Sequence, residues 1–220
     1  MKRMGLQKGI GVLVLVVAVL LISGSAWAVV LNPGDFNIAA QSATTLPAGT
    51  IIDQIIDGTF IGKNEGGNTL FSGTYTTGVL AEGGIGGPLT FFYQMTSDQT
   101  SLHNITRLTT SDFSGFTTDA YYVETEGGVI PLTFSRTLSS TSTGPTIGFN
   151  FGNGVQFGSE SALLFIKTDA FAYVDGSISL IDGATANVRG FAPSVPEPGT
   201  LLLLGSGLVG LAFYVRRRKI

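Results

Sequence analysis

The sequence has no cysteine and a single histidine, His103. The first absence removes disulfides, thiolate nucleophiles and cysteine metal sites together. The second excludes any metal site built from several imidazoles. No G-x-S-x-G elbow accompanies His103, so a Ser-His-Asp arrangement has no nucleophile signature, and the residue reads as a surface or half-buried histidine in a strand-like run beside Asn104. No G-K-[ST] follows Gly84, Gly86 and Gly87. That leaves the stretch Gly83 to Pro88 as a long flexible turn and not a phosphate loop. Apolar residues at helical spacing never persist beyond a turn or two between the chain ends, so that region predicts no amphipathic helix.

Charge is scarce and uneven. The 220 residues hold 12 Lys and Arg against 15 Asp and Glu, a formal net charge of −3. Seven of the basic residues, Lys2, Arg3, Lys8, Arg216, Arg217, Arg218 and Lys219, sit at the two ends. Lys63, Arg107, Arg136, Lys167 and Arg189 remain between them, against 14 acids once Glu197 is set aside, so the body carries 5 − 14 = −9. Such a domain suits neither nucleic acid nor an anionic membrane surface.

The N-terminus has a basic start, an apolar core from Ile10 to Ile22, and then Ser25-Ala26-Trp27-Ala28. Ala26 and Ala28 supply the small residues that signal peptidase needs at −3 and −1. Residues 1–28 therefore read as a secretory signal peptide cut after Ala28. At the other end, Val195-Pro196-Glu197-Pro198-Gly199 cannot form regular structure, because two prolines fix φ and remove two N–H donors. Gly199 to Val215 follows without a charge: 17 residues, roughly 25 Å as a helix at about 1.5 Å per residue, the short limit for a transmembrane span. Arg216, Arg217, Arg218 and Lys219 then form a basic stop that holds the end of the span on the cytoplasmic side.

Pro196-Glu197-Pro198, the Leu201 to Gly205 run, Gly207 to Leu211 and the basic end, in that order and spacing, resemble the PEP-CTERM sorting domain of exported bacterial proteins. The resemblance covers residues 195–220. It implies recognition by an exosortase, a membrane transpeptidase, with Pro196, Glu197 and Pro198 as the sorting motif. It also implies release or attachment at the surface of cells that often make exopolysaccharide. Ser161 to Ala170 more weakly resembles a segment that often precedes such tails.

Residues 29–194 form one domain's worth of chain, long enough to bury a core without disulfides. Gly, Thr and Ser alternate with aromatic and β-branched runs, the pattern of an all-β domain. Expected strands are Ile51 to Ile61, Thr69 to Leu80, Leu89 to Thr96, Leu102 to Leu108, Ala120 to Glu126, Leu132 to Leu138, Ile147 to Phe151, Ala162 to Thr168 and Phe171 to Ile181, the last turning at Asp175-Gly176. Ala162 to Thr168 is almost continuously apolar and predicts a central strand covered on both faces. Turns are expected at Gly127-Gly128, Gly144-Pro145, Gly152-Asn153-Gly154 and Asp182-Gly183. The predicted fold is an antiparallel, jelly-roll-like β-sandwich between an N-terminal signal peptide and a C-terminal transmembrane helix.

Little in the body points to chemistry. Glu124 and Glu126, two apart on an expected strand, could pair as glycosidase acids, but acids so placed more often keep an edge strand soluble. Asp169, Asp175 and Asp182 flank the last strands without the spacing of a calcium loop. Phe91, Phe92, Tyr93, Tyr121, Tyr122 and Tyr173 would stack on sugars only if exposed in a row; in a sandwich most belong to the core. No catalytic residue, metal ligand set or cofactor is assigned. The reading is a non-enzymatic exported protein, first a membrane-anchored precursor and then at the cell surface or in an exopolysaccharide matrix. Its expected partners are signal peptidase, exosortase, the membrane through the C-terminal helix, and exopolysaccharide. A lectin-like carbohydrate-binding module is the alternative, and a surface glycosidase a further one.

Overall fold

The computed structural model describes residues 28–138 and 144–195. Ala26, the sorting motif, the expected transmembrane helix and the basic stop lie outside the described residues. Among the described residues no helix is long and apolar enough to cross a membrane.

Thirteen strands make up the described part of the body. Three are short: β1 (Val29–Val30), β2 (Ile38–Ala39) and β3 (Ser42–Ala43). The longest hairpin is β4 (Gly49–Lys63) with β5 (Thr69–Glu82), followed by β6 (Leu89–Ser97), β7 (Ile105–Thr110), β8 (Thr118–Val123) and β9 (Thr133–Arg136). Then come β10 (Ile147–Val155), β11 (Leu163–Thr168), β12 (Ala172–Ile181) and β13 (Thr185–Ser194).

All join one sheet in the order β1-β8-β11-β6-β5-β4-β13-β12-β7-β10-β9-β2, with β3 added in parallel to β8. The all-β, antiparallel expectation therefore holds. In place of two separate sheets there is one sheet curled on itself. Its wings join where β4 meets β13, through the single pair Lys63↔Thr185. The cause is the length and irregularity of β4, a strand of 15 residues. Register shifts interrupt its pairing with β5 at Ile51/Asp53, Ile55/Gly58 and Gly62/Lys63. Each such irregularity adds twist and bend.

The wings pack their apolar faces together. Tyr93 of β6 lies 6.3 Å from Phe149 of β10, ring to ring, and its hydroxyl meets Thr110 Oγ1 of β7 at 3.3 Å. Phe91 stands edge-on to Phe113 at 5.4 Å. Tyr173 donates across the open side to Asp53 Oδ2 at 3.1 Å. Close strand approach is built in as well: a Cβ at Gly73 would collide with the Thr96 carbonyl and the Phe60 ring.

β11 is the central strand that its apolar run predicts. Leu164 and Ile166 enter the main core, while Leu163 and Phe165 turn to a second cluster with Ala43, Phe92 and Tyr121. The segment from Ala28 to Ala43 covers that second face and caps both sheet edges, β1 and β3 on β8 and β2 on β9. Short edge strands of this kind limit pairing with other chains.

Several local expectations are corrected. β8 ends at Val123, so Glu124 and Glu126 sit in an exposed turn and not on a strand. β7 begins at Ile105, so His103 precedes the strand. Asp175-Gly176 is no turn: β12 runs through it, because Gly176 faces Gly190 and Arg189 neutralises Asp175 from the neighbouring strand at 2.7 Å. Gly152 to Gly154 lies within β10 as an irregularity between Asn150 and Val155. The Gly83 to Pro88 turn stands where expected, but as a tight hydrogen-bonded turn and not a long flexible one, closed by Glu82 N–H donating to the Pro88 carbonyl at 2.9 Å.

Candidate functional site

Antiparallel order gives the body two ends of different character. At one end the chain leaves toward its C-terminus. β13 finishes there at Ser194, paired with Ala172, and Phe191 and Ala192 just before it are buried in the core. Val195 is exposed. The β5–β6 turn lies at the same end, because Leu89 N–H donates to the Ala170 carbonyl at 2.9 Å. Val195 alone separates β13 from Pro196 in the sequence.

The same end is organised by Arg136, which is 4% exposed. Its Nε donates to Gly144 O at 2.9 Å, one terminal nitrogen to Leu31 O and Thr118 Oγ1 at 2.9 Å each, and the other to Phe113 O at 2.8 Å and Phe116 O at 2.9 Å. Desolvation pulls its pKa down, opposed by the charges of Asp169 and Asp35. One planar donor fork thus ties the N-terminal segment to the loop before β8 and to the chain before β10. Nearby, Glu82 and Lys167 form an ion pair at 2.8 Å. Burial raises the pKa of Asp119, with the Lys167 charge opposing and the Glu82 charge adding.

The opposite end carries a shallow cleft of about 340 Å³. His103 Nδ1 lies 3.0 Å from Asp182 Oδ2, and Thr106 donates to Ile181 O at 3.0 Å while its hydroxyl lies 3.3 Å from Asp182 Oδ1. Asn104 Nδ2 donates to Asn153 O at 2.9 Å. Leu102 is exposed on the rim. The carboxylate holds the imidazole through Nδ1. Uncharged donors and acceptors dominate the rest of the lining. The one hydroxyl within reach, that of Thr106, is committed to a backbone carbonyl.

The other candidates stay apart. Asp169 accepts from Thr117 N–H at 3.0 Å, Asp175 pairs with Arg189, and Asp182 pairs with His103, so the three aspartates share no site. Glu124 and Glu126 are exposed. Phe91, Phe92, Tyr93, Tyr121 and Tyr122 are buried and Tyr173 is half-buried, so they form no exposed row. Sequence reasoning missed the His103–Asp182 pairing, whose members stand 79 residues apart. It also missed the Arg136 fork, for which the only available signal was a lone arginine at the end of a short alternating strand.

The family described as the PEP-CTERM protein-sorting motif matches residues 194–219. No curated protein and no solved structure matches the chain. The chain thus carries a PEP-CTERM sorting motif joined directly to β13, and such a motif marks an exported protein, sorted to the cell envelope and processed by an exosortase.

Proposed function

We propose that this chain is a non-enzymatic surface protein whose β body plays a structural or adhesive part at the envelope or in an exopolysaccharide matrix. The observation that carries the reading is the junction itself, a sorting motif that begins on the last residue of a folded, disulfide-free β domain. Signal peptidase cuts after Ala28, so the mature chain begins on the first residue of β1. The tail then holds the precursor in the membrane by a single span with Arg216 to Lys219 inside, until an exosortase acts at Pro196-Glu197-Pro198. Residues 29–194 are the part delivered.

The cleft at His103 supports carbohydrate binding as a second reading. It lies at the end of the body away from the tail, and its polar groups suit sugar hydroxyls better than charged ligands. No observation favours a glycosidase, because Glu124 and Glu126 stand in open solvent.

The test is fractionation of a host that has an exosortase. Mature protein beginning at Val29 should appear at the surface or in the matrix, and its loss should weaken matrix cohesion. Protein that begins at Met1 and stays in the cytoplasm would overturn the reading. Retention on matrix polysaccharide that His103→Ala and Asn104→Ala abolish would favour the carbohydrate reading, and sugar release would contradict a non-enzymatic role.

A further inference from the structure

We propose that the end of the body beside the tail is a lipid-contact face, seated on the bilayer while the precursor is anchored. The inference rests on the reading of residues 199–215 as a membrane span. From Ser194 to Gly199 the chain can extend at most roughly 17 Å at about 3.3–3.6 Å per residue. The headgroup layer occupies roughly 5–8 Å of that height. Even fully extended, the tether therefore holds the folded end within roughly 9–12 Å of the headgroups, and any slack brings it onto them.

Its surface chemistry fits that position. Ile85, at the tip of the β5–β6 turn, is 88% exposed, and Phe171 and Val195 are 62% and 70% exposed. They lie on one continuous path across the sheet end: the turn is bonded to Ala170 through Leu89, Phe171 follows, and Ala172 pairs with Ser194. Exposed apolar residues also occur at the opposite end, Leu102 and Phe157 among them. Exposure alone therefore does not select the face, and the direct junction with the tail does. Its nearby cations are already engaged, Lys167 by Glu82 and Arg136 beneath the loops, while Asp35, Asp112 and Asp169 lie around it. Such a face inserts apolar side chains among zwitterionic headgroups and gains nothing from anionic lipid. The Gly83, Gly84 and Gly86 backbone has positive φ with open space around it. This sharp turn is what puts Ile85 outermost.

The absence of native cysteine allows a clean test in the full chain. Ile85→Cys, Phe171→Cys, Leu102→Cys and Leu208→Cys variants, each carrying an environment-sensitive fluorophore, are reconstituted in phosphatidylcholine vesicles with brominated acyl chains. Leu208 reports the span and Leu102 the far end. The expected result is quenching at 208, at least about a two-fold loss of emission at 85 and 171, as for side chains ~5–10 Å into the interface, and none at 102. Circular dichroism melts of the labelled variants guard against unfolding, and exposed positions 85 and 171 should melt as wild type. Quenching at 208 with 85 and 171 as bright as 102 would overturn the contact and leave the anchor intact. No quenching at 208 would overturn the span and the contact with it. Quenching at 85 and 171 only when phosphatidylglycerol is present would overturn the apolar basis.

Discussion

Replacing Arg136 by Met tests the packing account most sharply. The side chain is 4% exposed and donates to four backbone carbonyls and one hydroxyl, all within 2.9 Å. Methionine fills much of the volume and removes the cost of burying a guanidinium, which favours the variant. It also leaves Leu31, Phe113, Phe116 and Gly144 carbonyls without these donors, at about 1–3 kcal/mol for each carbonyl that water cannot reach. Two carbonyls left dry already cost about 2–6 kcal/mol, and with the desolvation relief set against them the net loss should be about 3 kcal/mol. For a domain of this size about 2–4 °C is lost per kcal/mol, so the melting temperature should fall by about 6–12 °C. Arg136→Lys keeps a charge but has three donors on a point ammonium, and should recover only part of the loss. The assay is a circular dichroism melt of the full chain in detergent at neutral pH. A Met variant melting within about 1 °C of wild type would refute the idea that the fork holds this end together.

Leu164→Asp places a carboxylate at a fully buried point between Tyr93 and Tyr122, where no donor replaces water. The cost is several kcal/mol, enough to unfold the body; a retained cooperative melt would show that β11 is not central. Asp119→Asn should stabilise at neutral pH, because burial raises the folded pKa above the unfolded one and the ionised acid is worse off in the fold. The sign requires that advantage to shrink as pH falls through the raised pKa and to vanish below the unfolded value, where both states hold the proton. Urea melts of both proteins across the acid range would show it, and a gain that grows on acidification would contradict the cause.

What the sequence made legible follows from how local each signal is. β11 could be read because apolar residues at both strand faces need cover on both sides, and the fold supplies it with the opposite wing, Ile147 and Phe149 among it, on one face and Ala43 of the N-terminal segment on the other. β13 escaped because Arg189, Pro193 and several small residues dilute its apolar signal; its strand character comes from ten paired positions along β12. The curl of the sheet was not legible: Asp53 and Asp57-Gly58 show in the sequence only as breaks in an apolar run, and that they become register shifts in β4, with Asp57 at φ 55°, depends on its pairing with β5. His103 and Asp182 were each noticed alone, and only the fold brings them to 3.0 Å. The sorting motif at residues 194–219 was readable because proline chemistry, apolar length and terminal charge act without tertiary structure.

The central claim is that the tail is a processed sorting signal. Glu197 is the one charge between the two rigid prolines, and changing it to Ala leaves the apolar run and Arg216 to Lys219 untouched. In a host with an exosortase, intact masses of membrane and released fractions compare wild type with Glu197→Ala. The account predicts that wild type loses its tail while the variant stays in the membrane as the longer, uncut precursor. A variant trimmed and released like wild type would contradict it, leaving the tail as nothing more than an anchor.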